Sequence, residues 1–305
     1  MNKFLATLLL SSILFLQCKP DNAPKTNVLA DLEANLAAEP SPANANNVVK
    51  EINKLIANED SETAKAALIQ KGLKVSKEHK LSAKTASFLT MAMRTKDVAI
   101  DKKESILELA GLMTANRRDK TANILYQAFA DLYPDDTRSP AFAEKVKPMT
   151  GGDVHNYLMK TAESIFENPD EYGINRKSSS EYVNACEAYA LAYDDDKAPE
   201  YLYKAAEIAR SLRTFPKTLS LYDWIIDSYP SYEKTPTALF LKGFVIENEL
   251  KNEDLARETY KQFLTKYPSH DLADDVQFLL DNLGKSNEEI LELIEKNKEK
   301  NETAQ

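Results

Sequence analysis

The chain has 305 residues, a formal net charge of −9 and only 7 glycines. An average composition would supply about 20 glycines at this length, so their scarcity predicts a mostly helical chain. The acidic balance disfavours strong nucleic-acid binding, because phosphate contacts need a positively charged face. Length alone leaves a single extended array and two separate domains equally open.

The first 17 residues have the pattern of a secretory signal peptide. Lys3 supplies a positive charge, and a mainly apolar run follows from Phe4 to Leu16. This run is too short to span a bilayer as a helix and fits the apolar region of a signal peptide. We therefore predict that residues 1–17 direct export of the protein.

A cysteine, Cys18, stands directly after the apolar run, and the sequence Leu14–Cys18 resembles a lipobox. The resemblance implies acylation of the Cys18 thiol, although Gln17 stands where lipoboxes prefer a small residue. Two or three acyl chains on one residue anchor a protein stably to a membrane. Lys19 at the next position resembles the pattern of outer-membrane lipoproteins, with the periplasmic and the surface face both open. The alternative is a signal peptide followed by an incidental cysteine.

Residues 18–47 carry four prolines among Asn, Ala and Ser. This composition predicts a flexible tether with at most one short helix, from about residue 29 to residue 38. Residues 48–134 are predicted to form an N-terminal helical block, because apolar residues recur there at helical steps of three and four. Its first helices are interpreted as diverged repeats or as a cap, and they span residues 48–57, 61–75 and 81–94.

One phrase recurs three times with the same spacing. It begins with Tyr, has an apolar residue three positions later, a second Tyr at the seventh and Pro at the eighth. The three copies span Tyr126–Pro134, Tyr222–Pro230 and Tyr260–Pro268. The first Tyr, the apolar residue and the second Tyr lie on one face of a helix, and the proline prevents the helix from continuing. Each phrase therefore predicts the end of a helix.

Small residues precede each phrase at a regular distance. Ala110 and Ala122 are twelve positions apart, as are Ala206 and Thr218, and Gly243 precedes Ala256 by thirteen. Two helices of one repeat can approach closely only where their facing side chains are small. The spacing is that of tetratricopeptide repeats, and it predicts an all-α fold, a right-handed α-solenoid of helix-turn-helix repeats.

The stretch from Ala198 to Leu283 resembles tetratricopeptide lipoproteins of the BamD/YfiO and CpoB (YbgF) type, in which Tyr-x-x-Phe-x-x-x-Tyr-Pro endings are frequent. The resemblance implies a repeat protein that binds other proteins at a membrane.

The remaining segments complete the predicted organisation. Residues 135–152, with two prolines and a Gly-Gly pair, are predicted to be a linker. Residues 153–283 are predicted to form a C-terminal repeat array, which opens with a degenerate unit built from helices at 153–167 and 180–193. Residues 284–305 are predicted to form a capping helix and a frayed tail.

The sequence offers little chemistry. Its three histidines have no zinc-ligand spacing, Asp194–Asp196 lacks the glycine and the distal glutamate of a calcium loop, and Cys186 lies on an apolar helical face where a thiol behaves as a small hydrophobe. We therefore predict no catalytic residues, no metal, no cofactor and no enzymatic activity. A buried pair of acids in a hydrolase stays an open alternative.

In this type of repeat, the first helix lines the binding groove. For the unit that contains Ala206, the predicted groove residues are Glu200, Tyr203, Lys204, Glu207 and Arg210. Their mixture of an aromatic ring with both charges suits an interaction surface, and a plain solvated helix face is the alternative.

The leading hypothesis is a lipid-anchored scaffold at the outer membrane, whose partners are other envelope proteins or peptides. It would act in outer-membrane or cell-wall assembly or in the coordination of division. The second hypothesis is a solute-binding lipoprotein that delivers glycans or peptides to a transporter. A scaffold predicts an open groove, whereas a solute-binding protein predicts a closed pocket with exposed aromatic side chains.

Overall fold

The computed structural model describes residues 28–59, 61–171 and 173–286, together with residues 288, 289 and 292. The predicted signal peptide and the predicted lipidation site Cys18 lie outside these residues, as does most of the predicted capping helix and tail. Across the described residues the secondary structure is helical, without strands. No helix in this part of the chain is both long enough and apolar enough to cross a bilayer.

The N-terminal helices are α1 (Val28–Ala38), α2 (Pro42–Ala57), α3 (Glu62–Glu78), α4 (Ser82–Arg94), α5 (Lys102–Ala115) and α6 (Asp119–Leu132). The middle of the chain contains α7 (Ser139–Thr150), α8 (Val154–Glu163), a short 3₁₀ helix (Ser164–Phe166) and α9 (Arg176–Ala192). The C-terminal helices are α10 (Ala198–Ser211), α11 (Phe215–Ser228), α12 (Thr235–Asn248), α13 (Glu253–Lys266) and α14 (Ala273–Asn282).

Each helix from α1 to α14 packs against the next one along the chain. One apolar core runs without interruption from Ala86 in α4 to Val276 in α14. A smaller cluster around Ile52 and Phe88 joins α2 to α4. Stacked helix pairs that share a continuous core are the architecture of a solenoid. The predicted all-α solenoid of TPR-like repeats is confirmed.

Small residues bring the paired helices together, as their spacing predicts. Ala110, Ala206 and Ala256 are completely buried. At Gly243 in α12 the approach is closest, because a Cβ atom built there would lie 2.6 Å from the ring of Tyr260 in α13. The tyrosine that opens the third phrase therefore packs against the small residue of its partner helix.

The N-terminal region differs from the prediction. A short helix at residues 29–38 is confirmed as α1, and its Leu36 is buried. The rest of the described tether is not flexible coil, because α2 begins at Pro42, six residues before the predicted block. The Ser41 hydroxyl accepts a hydrogen bond from the Asn44 backbone N–H at 3.2 Å, and proline is well tolerated in the first turn of a helix. The proline thus starts a helix here instead of preventing one.

The predicted linker, residues 135–152, contains α7. Its Phe142 ring stacks on Tyr126 of α6 with ring centroids 4.9 Å apart, so the segment is part of the core. Pro140 lies in the first turn of α7, and Gly151, with φ of 66°, ends the helix. Pro140 and Gly151, which suggested a linker, are therefore the start and stop signals of one more helix, and Pro148 lies within that helix.

The unit predicted as degenerate is irregular. The helix predicted at 153–167 is α8 followed by a 3₁₀ turn, and the second helix starts at Arg176, earlier than predicted. Besides α8 and α10, α9 packs against α6. Lys147 of α7 stands at the position that Ala206 and Gly243 occupy in later repeats, counted from the start of each helix. A lysine there excludes the close approach of a partner helix.

Candidate functional site

The same turn precedes α10, α12 and α14. In each turn, a backbone N–H at the start of the new helix donates to the carbonyl oxygen three residues earlier. The donors are Ala198 (3.0 Å), Thr235 (2.9 Å) and Ala273 (2.8 Å). These three residues are therefore equivalent, and positions counted from them can be compared between helices.

An aromatic residue occupies the fifth position after each of these starts. These residues are Tyr203 in α10, Phe240 in α12 and Phe278 in α14, and we call them the aromatic ladder. Equivalent positions on the first helices of stacked repeats lie on one face of a solenoid. Exposure grows along the ladder, from 9% at Tyr203 through a half-buried Phe240 to 47% at Phe278.

Phe244 widens the ladder on α12. It lies one helical turn after Phe240, with ring centroids 6.2 Å apart, and it is also half-buried. Counted from the small residue of the repeat, Phe244 is equivalent to Glu207 of α10. The apolar part of the surface therefore lies on α12 and α14, and the charged part lies on α10.

The five groove residues predicted from the sequence all belong to α10. Glu200, Lys204 and Glu207 are exposed, and Arg210 is half-buried. Lys204 donates to the Glu200 carboxylate at 2.6 Å, which lowers the pKa of Glu200. Tyr203 differs from the expectation of a free aromatic side chain, because its ring is nearly covered.

Two neighbours cover the Tyr203 ring. The Lys234 ammonium group lies 5.2 Å from the ring centroid, and the Tyr222 ring centroid lies 6.4 Å away. Tyr232, in the turn before α12, has its pKa raised to about 12 by burial and then by nearby acids, with Glu200 first among them. This end of the ladder is a dense cluster of aromatic and charged groups. A role for it in binding stays a prediction.

Sequence reasoning missed Phe240, Phe244 and Phe278. The signal for the first was present, because Phe240 precedes Gly243 by the same three positions that separate Tyr203 from Ala206. Phe278 had no such signal, since α14 carries Asp281 at the small position. Only the shared turn geometry makes Phe278 equivalent to the other two.

The tyrosines that open the recurring phrases are buried. The Tyr260 hydroxyl donates to the Glu247 carboxylate at 2.6 Å, and in α9 the Tyr189 hydroxyl donates to Asp195 at 2.6 Å. Burial raises the pKa of both tyrosines, and the neighbouring carboxylate raises it further. The Tyr222 hydroxyl, equally buried, has no hydrogen-bond partner in the described structure, and neither has the Arg210 Nε atom.

A second candidate surface is a cleft of about 560 Å³ lined by residues of α4, α5, α6, α9 and α11. Its lining includes the apolar Leu109, Met113 and Leu191, and α4 supplies several small side chains. The buried Glu187 carboxylate also lines the cleft and accepts from Lys217 Nζ at 2.9 Å. No aromatic side chain is among the described residues that line this cleft.

The groups considered for chemistry have structural environments. Burial raises the pKa of the Cys186 thiol to about 12, which keeps it protonated and unreactive. His155 is half-buried and shares a hydrogen bond of 2.8 Å with the Tyr201 hydroxyl. Among the described residues, no group of three or more His, Cys, Asp or Glu side chains is placed to hold a metal ion.

Comparison with known proteins identifies one repeat. A family model described as tetratricopeptide repeat matches residues 237–270, which comprise most of α12, all of α13 and the start of the following turn. A search of curated proteins finds no match. The matched repeat contains Phe240, Phe244 and the pair formed by Tyr260 and Glu247.

Proposed function

We propose that this chain, on the strength of its tetratricopeptide repeat, is a scaffold that holds partner proteins or peptides and catalyses no reaction. The observation that carries the proposal is the aromatic ladder. Aromatic side chains on equivalent positions of stacked helices lie on one face of the array, and aromatic residues are enriched among the anchors of protein interfaces. The charged face of α10 would supply the polar rim of the same surface.

The proposed location is the bacterial cell envelope. Acylation of Cys18 would tether the chain to the outer membrane, on its periplasmic or its surface face. The scaffold would then act in outer-membrane or cell-wall assembly or in the coordination of division. The acidic net charge of −9 agrees with a protein partner better than with a nucleic acid.

Alanine substitution tests the ladder. Phe278→Ala removes an exposed ring, and Leu255→Ala removes an exposed apolar side chain from the second helix of the neighbouring pair, where the exposure is 40%. We expect Phe278→Ala to reduce recovery of copurified partners from cells several-fold, with Leu255→Ala leaving it unchanged. Equal recovery by both variants would dispose of the ladder as the binding surface.

Fatty-acid labelling tests the anchor independently. We expect a labelled acyl chain on the wild-type protein and on Cys186→Ser, but not on Cys18→Ser. The Cys186→Ser variant is the matched control, because it removes the other cysteine of the chain. Label on Cys18→Ser would contradict the proposed anchor.

The cleft between α4 and α11 supports a second candidate function, that of a solute-binding lipoprotein which delivers glycans or peptides. Its volume of about 560 Å³ lies within the range of small-molecule sites. A thermal-shift screen with oligosaccharides and short peptides separates the two proposals. A shift abolished by Met113→Trp, which fills the cleft, would favour the solute-binding role.

A further inference from the structure

Two buried tyrosines of the repeats have a carboxylate of the same chain as their hydrogen-bond acceptor. Tyr189 and Tyr260 each donate their hydroxyl proton to a carboxylate of the same chain, Asp195 and Glu247. Glu247 stands four positions after Gly243, on the first helix of its repeat. The acid in this repeat is therefore part of the packing between the two helices.

In the preceding repeat, the acid is replaced by a base. Arg210 stands four positions after Ala206 and is therefore equivalent to Glu247. A guanidinium can only donate, so it offers the Tyr222 hydroxyl no acceptor. Both the Tyr222 hydroxyl and Arg210 Nε are buried, and neither has a hydrogen-bond partner in the described structure. A buried polar group without a partner costs about 1–3 kcal/mol.

The positive charge of Arg210 acts on the Tyr222 hydroxyl. Burial is the largest influence and raises the pKa of Tyr222, whereas Arg210 lowers it and Glu207 raises it. None of the ion pairs in the described part of the chain uses Arg210 or Lys234. Glu200 is already paired with Lys204. The charged groups that act on the Tyr222 hydroxyl are therefore the positive Arg210 and the negative Glu207.

We infer that Arg210 and Tyr222 form a receptor for a carboxylate of the bound partner, which supplies in trans the acceptor that Glu247 supplies within the next repeat. This inference rests on the proposed function of the ladder face. A carboxylate accepts several hydrogen bonds, so one group satisfies both the hydroxyl and the guanidinium.

The carboxylate belongs to an aspartate or glutamate side chain of the partner. The two unpaired atoms lie beneath the surface, under the half-buried Arg210 side chain. In the proposed complex, the half-buried Arg210 side chain shifts so that a flexible acidic side chain reaches both atoms, while the partner backbone stays on the ladder. The partner segment is therefore apolar with an acidic residue among its anchors, because Arg210 shares α10 with Tyr203 and the ladder continues with the half-buried Phe240 on α12.

Three synthetic peptides test the inference on the full-length chain. The first is acetyl-Phe-Leu-Glu-Leu-Phe-amide, the second has Gln in place of Glu, and the third has Gln and a free C-terminal carboxylate. Fluorescence anisotropy measures their affinities for four proteins, namely the wild type and the variants Arg210→Glu, Tyr222→Phe and Tyr260→Phe. Tyr260→Phe is the matched control, because it makes the same change where the hydroxyl already has an acceptor.

We expect the wild type to bind the Glu peptide about tenfold more tightly than either Gln peptide, as a charge-assisted hydrogen bond predicts. This preference should vanish in Arg210→Glu and Tyr222→Phe and persist in Tyr260→Phe. Equal affinity for the Glu and Gln peptides would overturn the carboxylate receptor and leave the ladder intact. Failure of all three peptides to bind would contradict both the ladder as a binding surface and the carboxylate receptor. Preference for the peptide with the free C-terminus would contradict the assignment to a side-chain carboxylate.

Discussion

The Arg94 guanidinium at the end of α4 lies 4.2 Å from the ring centroid of Trp224 in α11. Its two terminal nitrogens donate to the Ser220 hydroxyl at 3.3 Å and to the Ser220 carbonyl at 3.2 Å. Residues more than a hundred positions apart are thus joined directly. This contact connects the diverged N-terminal helices to the repeat array and borders the cleft between α4 and α11.

We expect Arg94→Ala to lower the free energy of unfolding by roughly 2 kcal/mol, the size of a desolvated cation–π contact. Urea denaturation followed by the emission of Trp224, the one tryptophan of the sequence, measures the change. Lys84→Ala is the control, since it removes an exposed cation from the same helix and should change stability little. Equal losses in both variants would show that the contact contributes nothing of its own.

Gly243 should tolerate no side chain. A Cβ atom at Gly243 would lie 2.6 Å from the Tyr260 ring, so we expect Gly243→Ala to destabilise the protein by about 1–3 kcal/mol. Gly111 in α5 has no atom within 4 Å of such a Cβ, and Gly111→Ala should stabilise by about 0.5–1 kcal/mol, because alanine favours a helix. Thermal unfolding of the two variants checks both signs, and destabilisation by both would refute the close approach.

The tyrosine hydroxyls of adjacent repeats should differ in their contribution to stability. Tyr260→Phe removes a hydrogen bond to a carboxylate and should cost about 1.5–3 kcal/mol. Tyr222→Phe removes a buried hydroxyl without a partner and should stabilise the fold by about 1–3 kcal/mol. Chemical denaturation of both variants makes the comparison. A similar cost at both positions would mean that the Tyr222 hydroxyl is satisfied in solution.

Acid should weaken the turn before α7. Asp136 accepts hydrogen bonds from the Arg138 side chain at 2.8 Å and from its backbone N–H at 3.0 Å, which hold the pKa of Asp136 well below its usual range. A carboxylate with a lowered folded pKa stabilises the fold above its unfolded pKa and stops doing so as the pH falls through the folded value.

Asp136→Asn is therefore expected to be less stable than the wild type at pH 7, with a difference that shrinks as the pH falls below about 4. Denaturation of both proteins at a series of pH values gives the profile. Asp135→Asn is the control, because Asp135 is exposed at the preceding position. A difference that does not change with pH would contradict the assigned role of the Asp136 charge.

The sequence predicted the repeats because their determinants are local. Small residues at Ala206 and Gly243 and a proline after each phrase specify the pairing of neighbouring helices. Pro42 and Pro140 led to the wrong predictions of a tether and a linker at these positions. Proline breaks a helix in the middle but is favoured in its first turn, and only the surrounding caps distinguish the two cases. The unpaired state of Tyr222 depends on side-chain positions across two helices, which no sequence spacing specifies.

A photoreactive amino acid tests the ladder most directly. Placed at Phe240 or Phe278 in intact cells, it should give the same discrete crosslinked product, because both positions face one bound partner. Placed at Lys261, exposed on α13, it should give none. A product from Lys261 alone, or different products from Phe240 and Phe278, would contradict a single partner bound along the first helices of the array.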